Sequence, residues 1–188
     1  MKKYIAKIGP LNAEKIACSP HGTATFTEDE EQDTLHIMIE MFDTPANIEH
    51  WQHFHGFPDG KDAHVATMDN DLNGDGFIDL PETEPVSGTT MVPFNKNPEK
   101  IDIPTDSYPH ADKSGHYLYE ADVPLNELKK HFKEIFNTTD LALDKRVVYI
   151  HGVPDSLSLP NTVQGSVANY GPHVTLPIAV GKIEKVNN

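Results

Sequence analysis

Apolar and polar residues alternate along several segments of the chain, and this pattern predicts a protein built mainly of β-strands. Residues 34–42 place Leu35, Ile37, Ile39 and Met41 on one face. Residues 22–27 alternate in the same way, and the acidic run 28–33 between the two segments supplies a turn. Two alternating segments joined by a short polar turn are typical of a β-hairpin.

The same alternation recurs in residues 117–123, 146–151 and 174–183, which predicts further strands. Residues 124–136 instead carry Leu125, Leu128 and Phe132 at helical spacing, with Pro124 at the start, where proline is best tolerated. The pattern therefore predicts one short helix among about seven strands. A hydrophobic content of 37% and 15 prolines also fit a turn-rich β protein better than a helical bundle.

Length and charge limit the classes of partner. A chain of 188 residues suits one domain, residues 1–188, that can bury roughly 70% of its extended surface. The formal charge of −14 disfavours nucleic acids and anionic membranes, and no apolar run reaches the length of a transmembrane helix. We therefore expect metal ions as partners, and the sequence leaves the oligomeric state open.

The N-terminus and the cysteine content bear on localisation. Residues 1–10 begin with positive charge but lack the apolar middle of a signal peptide, because Lys7 and Pro10 interrupt it. The chain as written is therefore expected to be cytoplasmic, and a secreted protein whose leader has been removed would look the same. Cys18 is the only cysteine, so the fold does not depend on an internal disulfide.

Residues 71–82 meet every position of the calcium-loop pattern D-x-[DN]-x-[DN]-G-x5-E, which is the most specific motif in the chain. Gly76 supplies the sharp turn, and Phe77 offers its backbone carbonyl. The side-chain ligands predicted for calcium are Asp71, Asn73, Asp75, Asp79 and Glu82. The alternative is an acidic, glycine-rich surface turn.

The flanks of this loop do not resemble an EF-hand. Residues 57–70 lack helical periodicity, and Pro85 is expected to interrupt a helix that continues from the loop. We therefore predict a lone calcium loop between strands, because a calcium sensor needs a pair of helices to move. The loop lies within residues 61–115, a long insertion with little recognisable secondary structure. A bound cation would cross-link this insertion and offset its ordering entropy.

A second candidate metal site involves histidines. His53 and His55 are two residues apart, so on a strand both imidazoles leave the same face and can chelate copper, zinc or iron. His151 ends another predicted strand far downstream. A His-x-His pair alone is a weak signal, and the alternative is a pair of hydrogen-bonded or solvated histidines at a strand end.

The order of these segments resembles two related families. Gly-Thr-Ala-Thr-Phe-Thr at residues 22–27, the alternating strand at 34–40 and His-Phe-His-Gly at 53–56 are similar to the opening of CHRD domains. The same order resembles copper–zinc superoxide dismutases, whose later strands look like residues 146–151 and 178–183 here. The resemblance implies an all-β, Greek-key, immunoglobulin-like β-sandwich, with a transition metal held by His53, His55 and His151.

Two functions from different classes follow. The first is a non-enzymatic metal-binding sandwich, with calcium in the insertion and copper or zinc at the histidines. The second is a redox enzyme of the dismutase type using copper at His53, His55 and His151. Val180 and Pro177 stand where the dismutase pattern has a disulfide cysteine and an anion-steering arginine. These departures favour the first function, for which we assign no catalytic residue.

Overall fold

The computed structural model describes residues 1–187, and its eight strands join one antiparallel sheet. In chain order the strands are β1 (Lys2–Pro10), β2 (His21–Asp29), β3 (Thr34–Phe42), β4 (Gln52–Gly56), β5 (Thr89–Pro93), β6 (Tyr117–Pro124), β7 (Val147–His151) and β8 (Pro177–Lys185). Their order across the sheet is β5-β4-β7-β8-β1-β2-β3-β6.

Helices are short and connect the strands. They are α1 (Ala13–Ile16), α2 (Leu80–Ser87), α3 (Leu125–Phe136) and α4 (Pro172–Thr175), with 3-10 turns at Met68–Asn70, Pro98–Lys100 and Leu143–Lys145. None of the helices in residues 1–187 combines the length and the apolar character needed to cross a membrane. The predicted mostly-β fold is confirmed.

The sheet curls around a single main core. Phe26 on β2 and Phe94 just after β5 have ring centroids 5.6 Å apart, although four other strands separate β2 from β5 in the sheet. Such a contact requires the two ends of the sheet to fold back towards each other. The alternating apolar residues of β3 fill the space between them, and Leu35, Ile37 and Ile39 are fully buried there. Burial of this face drives the fold through the hydrophobic effect.

Most predicted elements are present. The hairpin of β2 and β3 pairs Ala24 with Ile39 and Phe26 with Ile37, so the apolar sets of both strands share one face. The strands β6 and β7 and the helix α3 fall where alternation and helical spacing place them. Strand β8 begins at Pro177, later than the predicted residue 174, because α4 occupies residues 172–175.

Two strands, β1 and β5, and three short helices, α1, α2 and α4, were not predicted. The sequence analysis predicts no strand in residues 1–10, yet β1 pairs with both β2 and β8 and buries Tyr4, Ala6 and Ile8 in the core. Strand β5 is only five residues long and has no clear alternation. The insertion at residues 61–115 therefore contains α2, β5 and two 3-10 turns, so the expectation of little secondary structure there was wrong.

The expectation that Pro85 interrupts a helix after residues 71–82, the acidic loop, was also wrong. The Asp79 carboxylate accepts a hydrogen bond from the Glu82 N–H at 3.2 Å, and the Glu82 carboxylate accepts one from the Asp79 N–H at 3.3 Å. This reciprocal capping starts α2 at Leu80. Pro85 lies in the second turn, where its missing N–H removes only one internal hydrogen bond from an eight-residue helix.

The insertion covers the outer face of β4 and β7, and both strands are therefore buried on both faces. Ala63, Ala66 and Ile78 form a second apolar cluster with Val147 and Tyr149. The Tyr149 hydroxyl accepts the Ala66 N–H at 3.2 Å. It also lies 2.6 Å from the hydroxyl of Ser87 at the end of α2, so one side chain ties two parts of the insertion to β7.

Asn12 fastens the acidic loop to the sheet. Its amide group donates to the carbonyls of Ile78 at 2.9 Å and Pro177 at 2.8 Å, and its Oδ1 accepts the Ile78 N–H at 2.8 Å. The residue is 4% exposed and has a left-handed φ of 60°. Three buried hydrogen bonds thus hold the backbone next to Asp79 without any ion.

We predict that Asn12→Ala lowers the free energy of unfolding by about 3 kcal/mol, because buried backbone groups of Ile78 and Pro177 lose their partners. Asn137→Ala is the matched control, since Asn137 is exposed and has a similar φ of 61°. Urea denaturation of both variants separates lost hydrogen bonds from the cost of alanine in a left-handed conformation. Equal losses in the two variants would contradict the role given to Asn12.

Candidate metal centre

His53, His55 and His151 meet on the outer face of β4 and β7. His53 and His55 leave the same face of β4, as their spacing predicts, and His151 ends the neighbouring strand β7. One ring nitrogen of each lies within 4.8 Å of a ring nitrogen of the other two. The three side chains are 2%, 1% and 2% exposed, because the insertion covers them.

Hydrogen bonds fix the tautomers of two of the three rings. The Tyr108 hydroxyl donates to the Ile103 carbonyl at 2.8 Å, so it accepts the Nε2–H of His53 at 2.9 Å. The Nδ1–H of His151 donates to the Thr175 carbonyl at 2.7 Å. His53 Nδ1 and His151 Nε2 are therefore unprotonated and carry free lone pairs.

Each of the three rings keeps one buried nitrogen without a hydrogen-bond partner among residues 1–187: His53 Nδ1, His55 Nδ1 and His151 Nε2. The other nitrogen of His55, Nε2, lies 3.3 Å from the Thr90 hydroxyl. Buried polar atoms usually have partners, and leaving one unpaired costs about 1–3 kcal/mol. Three unpaired nitrogens in one cluster are therefore a specific feature of a group that could hold a metal ion.

Burial keeps the three imidazoles neutral. It holds the pKa of His53 and His55 well below the ordinary value, and the neighbouring His151 lowers both further. Burial also lowers the pKa of His151 to about 4, although its hydrogen bond to the Thr175 carbonyl partly opposes the shift. At neutral pH each ring is thus in the state that can donate a lone pair to a cation.

The residues present fit a zinc or copper ion. Both ions accept neutral imidazole nitrogens at about 2.0–2.1 Å, which in a tetrahedral site separates ligand nitrogens by roughly 3.3 Å. The three nitrogens lie within 4.8 Å of one another, which exceeds that spacing by about 1.5 Å at most. Hydrogen bonds from metal-binding histidines to a carbonyl or hydroxyl are the usual outer support of such sites, and Thr175 and Tyr108 provide them here.

No sequence pattern points to the residues that form hydrogen bonds with the three histidines. Tyr108 is 55 residues from His53, Thr90 is 35 from His55 and Thr175 is 24 from His151. No local pattern connects residues so far apart, because they meet only when the insertion and the segment before β8 close over β4 and β7. Three further histidines of the chain, His64, His110 and His116, lie outside the group of three.

The acidic loop adopts a tightly turned backbone. Gly74 and Gly76 have positive φ values of 75° and 84°, a conformation that glycine adopts without steric cost. The Asp71 carboxylate accepts the N–H groups of Gly74 and Gly76, each at 2.8 Å. The ring of Phe77 is buried in the main core and anchors the middle of the loop.

The remaining predicted calcium ligands also accept backbone N–H groups. Asn73 Oδ1 accepts the Asp75 N–H at 2.9 Å, and Asp75 Oδ1 accepts the Phe77 N–H at 2.8 Å. Glu82 reaches back to the Leu72 N–H at 2.8 Å. In the described part of the chain the loop carboxylates do not converge as closely as the three histidines do.

We predict that the metal-free protein loses stability as pH falls from 7 to 5. The pKa of His151 is about 4 in the folded protein and about 6.5 when unfolded. Between these values the unfolded chain binds the proton and the folded one does not, so unfolding becomes more favourable by roughly 2 kcal/mol at pH 5 for this residue. Urea denaturation with chelator present measures the slope, which His151→Asn should reduce. A stability that does not change over this range would contradict the account.

The family resemblance described above remains a prediction. Comparison of the chain with protein-family models and with curated proteins finds no match. The chemistry of the site follows from its own geometry: three neutral, buried imidazoles with unpaired nitrogens.

Proposed function

We propose that this protein is a metal-binding β-sandwich in which His53, His55 and His151 hold one copper or zinc ion. The observation that carries the proposal is the set of unpaired ring nitrogens, one on each of the three buried histidines. An ion would satisfy all three at once and recover the free energy lost by burying them. Hydrogen-bonded histidines at a strand end, the alternative from sequence, would not leave one nitrogen unpaired on each of three neighbouring rings.

We favour binding over redox turnover for this site. The three ligands are at most 2% exposed, and the insertion packs over them. A substrate anion would have to cross a protein surface of net charge −14, which repels it. Superoxide turnover by bound copper is the competing function, and it requires a substrate path that this cover does not favour.

We also propose that the acidic loop binds calcium through Asp71, Asn73, Asp75, Asp79, Glu82 and the Phe77 carbonyl. Asp79 and Glu82 are only 3% and 7% exposed. No lysine or arginine within residues 1–187 forms an ion pair with any of the four loop carboxylates. A divalent cation would relieve the repulsion among them, because each oxygen that accepts an N–H keeps a further lone pair.

The proposed fold is a Greek-key, immunoglobulin-like sandwich of the superoxide dismutase kind. The support is the curled antiparallel sheet, together with the position of a His-x-His strand beside a strand that ends in histidine. In this proposal the insertion takes the place of the long metal-binding loop of those enzymes. Calcium would then stabilise the cover of the histidine site.

We predict that purified protein freed of metal binds about one equivalent of zinc or copper, and that His151→Asn weakens the affinity by at least 100-fold. His64→Asn is the control, because His64 is exposed on the insertion and lies outside the triad. Equilibrium dialysis with elemental analysis gives both stoichiometry and affinity. Equal affinities in the two variants would place the ion elsewhere.

We predict that calcium at about 100 times its dissociation constant stabilises the protein by about 2.7 kcal/mol, seen as a melting temperature several degrees higher. Asp75→Ala should abolish this increment, whereas Asp69→Ala should keep it, because Asp69 is exposed just before the loop. The comparison uses the calcium-dependent increment of each variant, so any loss of the Asp75 hydrogen bond to Thr162 cancels. No increment in the unmutated protein would refute the calcium assignment.

A further inference from the structure

One lysine lies directly against the acidic loop. Lys15 Nζ is 5.7 Å from the centroid of the Phe77 ring. A Cβ atom at Gly76 would lie 3.0 Å from the same nitrogen. Gly76 and Phe77 are the middle of the loop, where the turn and the backbone carbonyl of the proposed calcium site are found. The positive charge of Lys15 is therefore held beside that site.

The backbone around Lys15 is tied to the loop. The Lys15 N–H donates to the Asn12 carbonyl at 3.0 Å, within the turn that starts α1. The Asn12 side chain in turn donates to the Ile78 carbonyl at 2.9 Å and accepts the Ile78 N–H at 2.8 Å. Phe77 is buried in the main core, so its ring is a fixed surface on which the ammonium group rests. The contact thus follows from the fold and not from the lysine side chain alone.

No direct ion pair neutralises this lysine. Lys15 forms none with any carboxylate within residues 1–187. Its field nevertheless acts on the loop. Burial acts in the opposite direction, but hydrogen bonds from Thr162 and the Phe77 N–H, together with the charge of Lys15, hold the pKa of Asp75 below its ordinary value. Lys15 therefore offsets part of the negative charge of the loop without contacting a carboxylate.

We propose that Lys15 limits the affinity of the acidic loop for calcium by acting as a fixed positive charge beside the site. The proposal rests on the calcium binding proposed above and adds to it the residue that tunes it. The ammonium group repels a divalent ion in the loop, and it stabilises the empty loop by reducing repulsion among the carboxylates. Both effects favour the empty loop over the occupied one. The loop consequently fills at a higher calcium concentration than its ligands alone would require.

The test is a calorimetric titration of the metal-free full chain with Ca²⁺ at low ionic strength. Lys15→Met removes the charge and keeps an unbranched side chain that can still pack on Phe77. It should tighten calcium binding roughly three- to tenfold, as expected for a divalent ion near a surface charge. Lys15→Arg keeps the charge and should bind calcium as the unmutated protein does.

Lys3→Met is the matched control. It removes the same charge from an exposed position at the far end of β1, the strand that leads to α1. Its calcium affinity should stay close to that of the unmutated protein. A tightening equal to that of Lys15→Met would show that only net charge matters and would contradict a local role for Lys15.

Salt separates a charge effect from a change in packing. At 1 M ionic strength the Debye length is about 3 Å, so the affinities of Lys15→Met and the unmutated protein should converge. A difference that persists in high salt, or unchanged or weaker binding by Lys15→Met at low salt, would contradict this inference alone. Absence of calcium binding by the unmutated protein would contradict the proposed calcium site as well. Lys15→Gln provides the same comparison if Lys15→Met does not fold.

Discussion

The structure depends on one constraint: the outer face of β4 and β7 is closed off from water although it carries three histidines. Residues 61–88 pack against this face through Ala63, Ala66 and Ile78, and Tyr149 ties them down. Removing imidazoles from water without partners for all their nitrogens is unfavourable. The three rings each keep one nitrogen unpaired while the other nitrogen lies against a hydroxyl or carbonyl, and together they form a group that could hold a metal ion.

The acidic loop and the histidine site are physically connected. Helix α2 begins directly after the loop, and its Leu80 lines a small cavity together with His53 and His151. The Asp79 carboxylate also accepts the Gln164 N–H at 2.8 Å, which holds the segment leading to Thr175. Stabilising the loop therefore stabilises the cover of the triad. Asn12 supplies part of that stability without any ion, so calcium would add to an existing attachment.

Much of this arrangement follows from the sequence, and the rest does not for identifiable reasons. Two-residue spacing places His53 and His55 on one face because side chains alternate along a strand. The strand pattern places His151 at the end of another predicted strand, but only the family resemblance groups it with His53 and His55, because its proximity depends on the pairing of β4 with β7. Pro85 argues against α2 in the sequence. The reciprocal capping by Asp79 and Glu82 outweighs the one backbone hydrogen bond that this proline removes. Tyr108 and Thr175 carry no local signal, since long-range packing brings them to the rings.

X-ray absorption spectroscopy at the zinc edge, on protein loaded with one equivalent of zinc, tests the central claim most directly. The account predicts a four-coordinate shell with three imidazole nitrogens at about 2.0–2.1 Å and one ligand that is not an imidazole. A shell made up of oxygen ligands would place the ion in the acidic loop and contradict a metal centre at His53, His55 and His151.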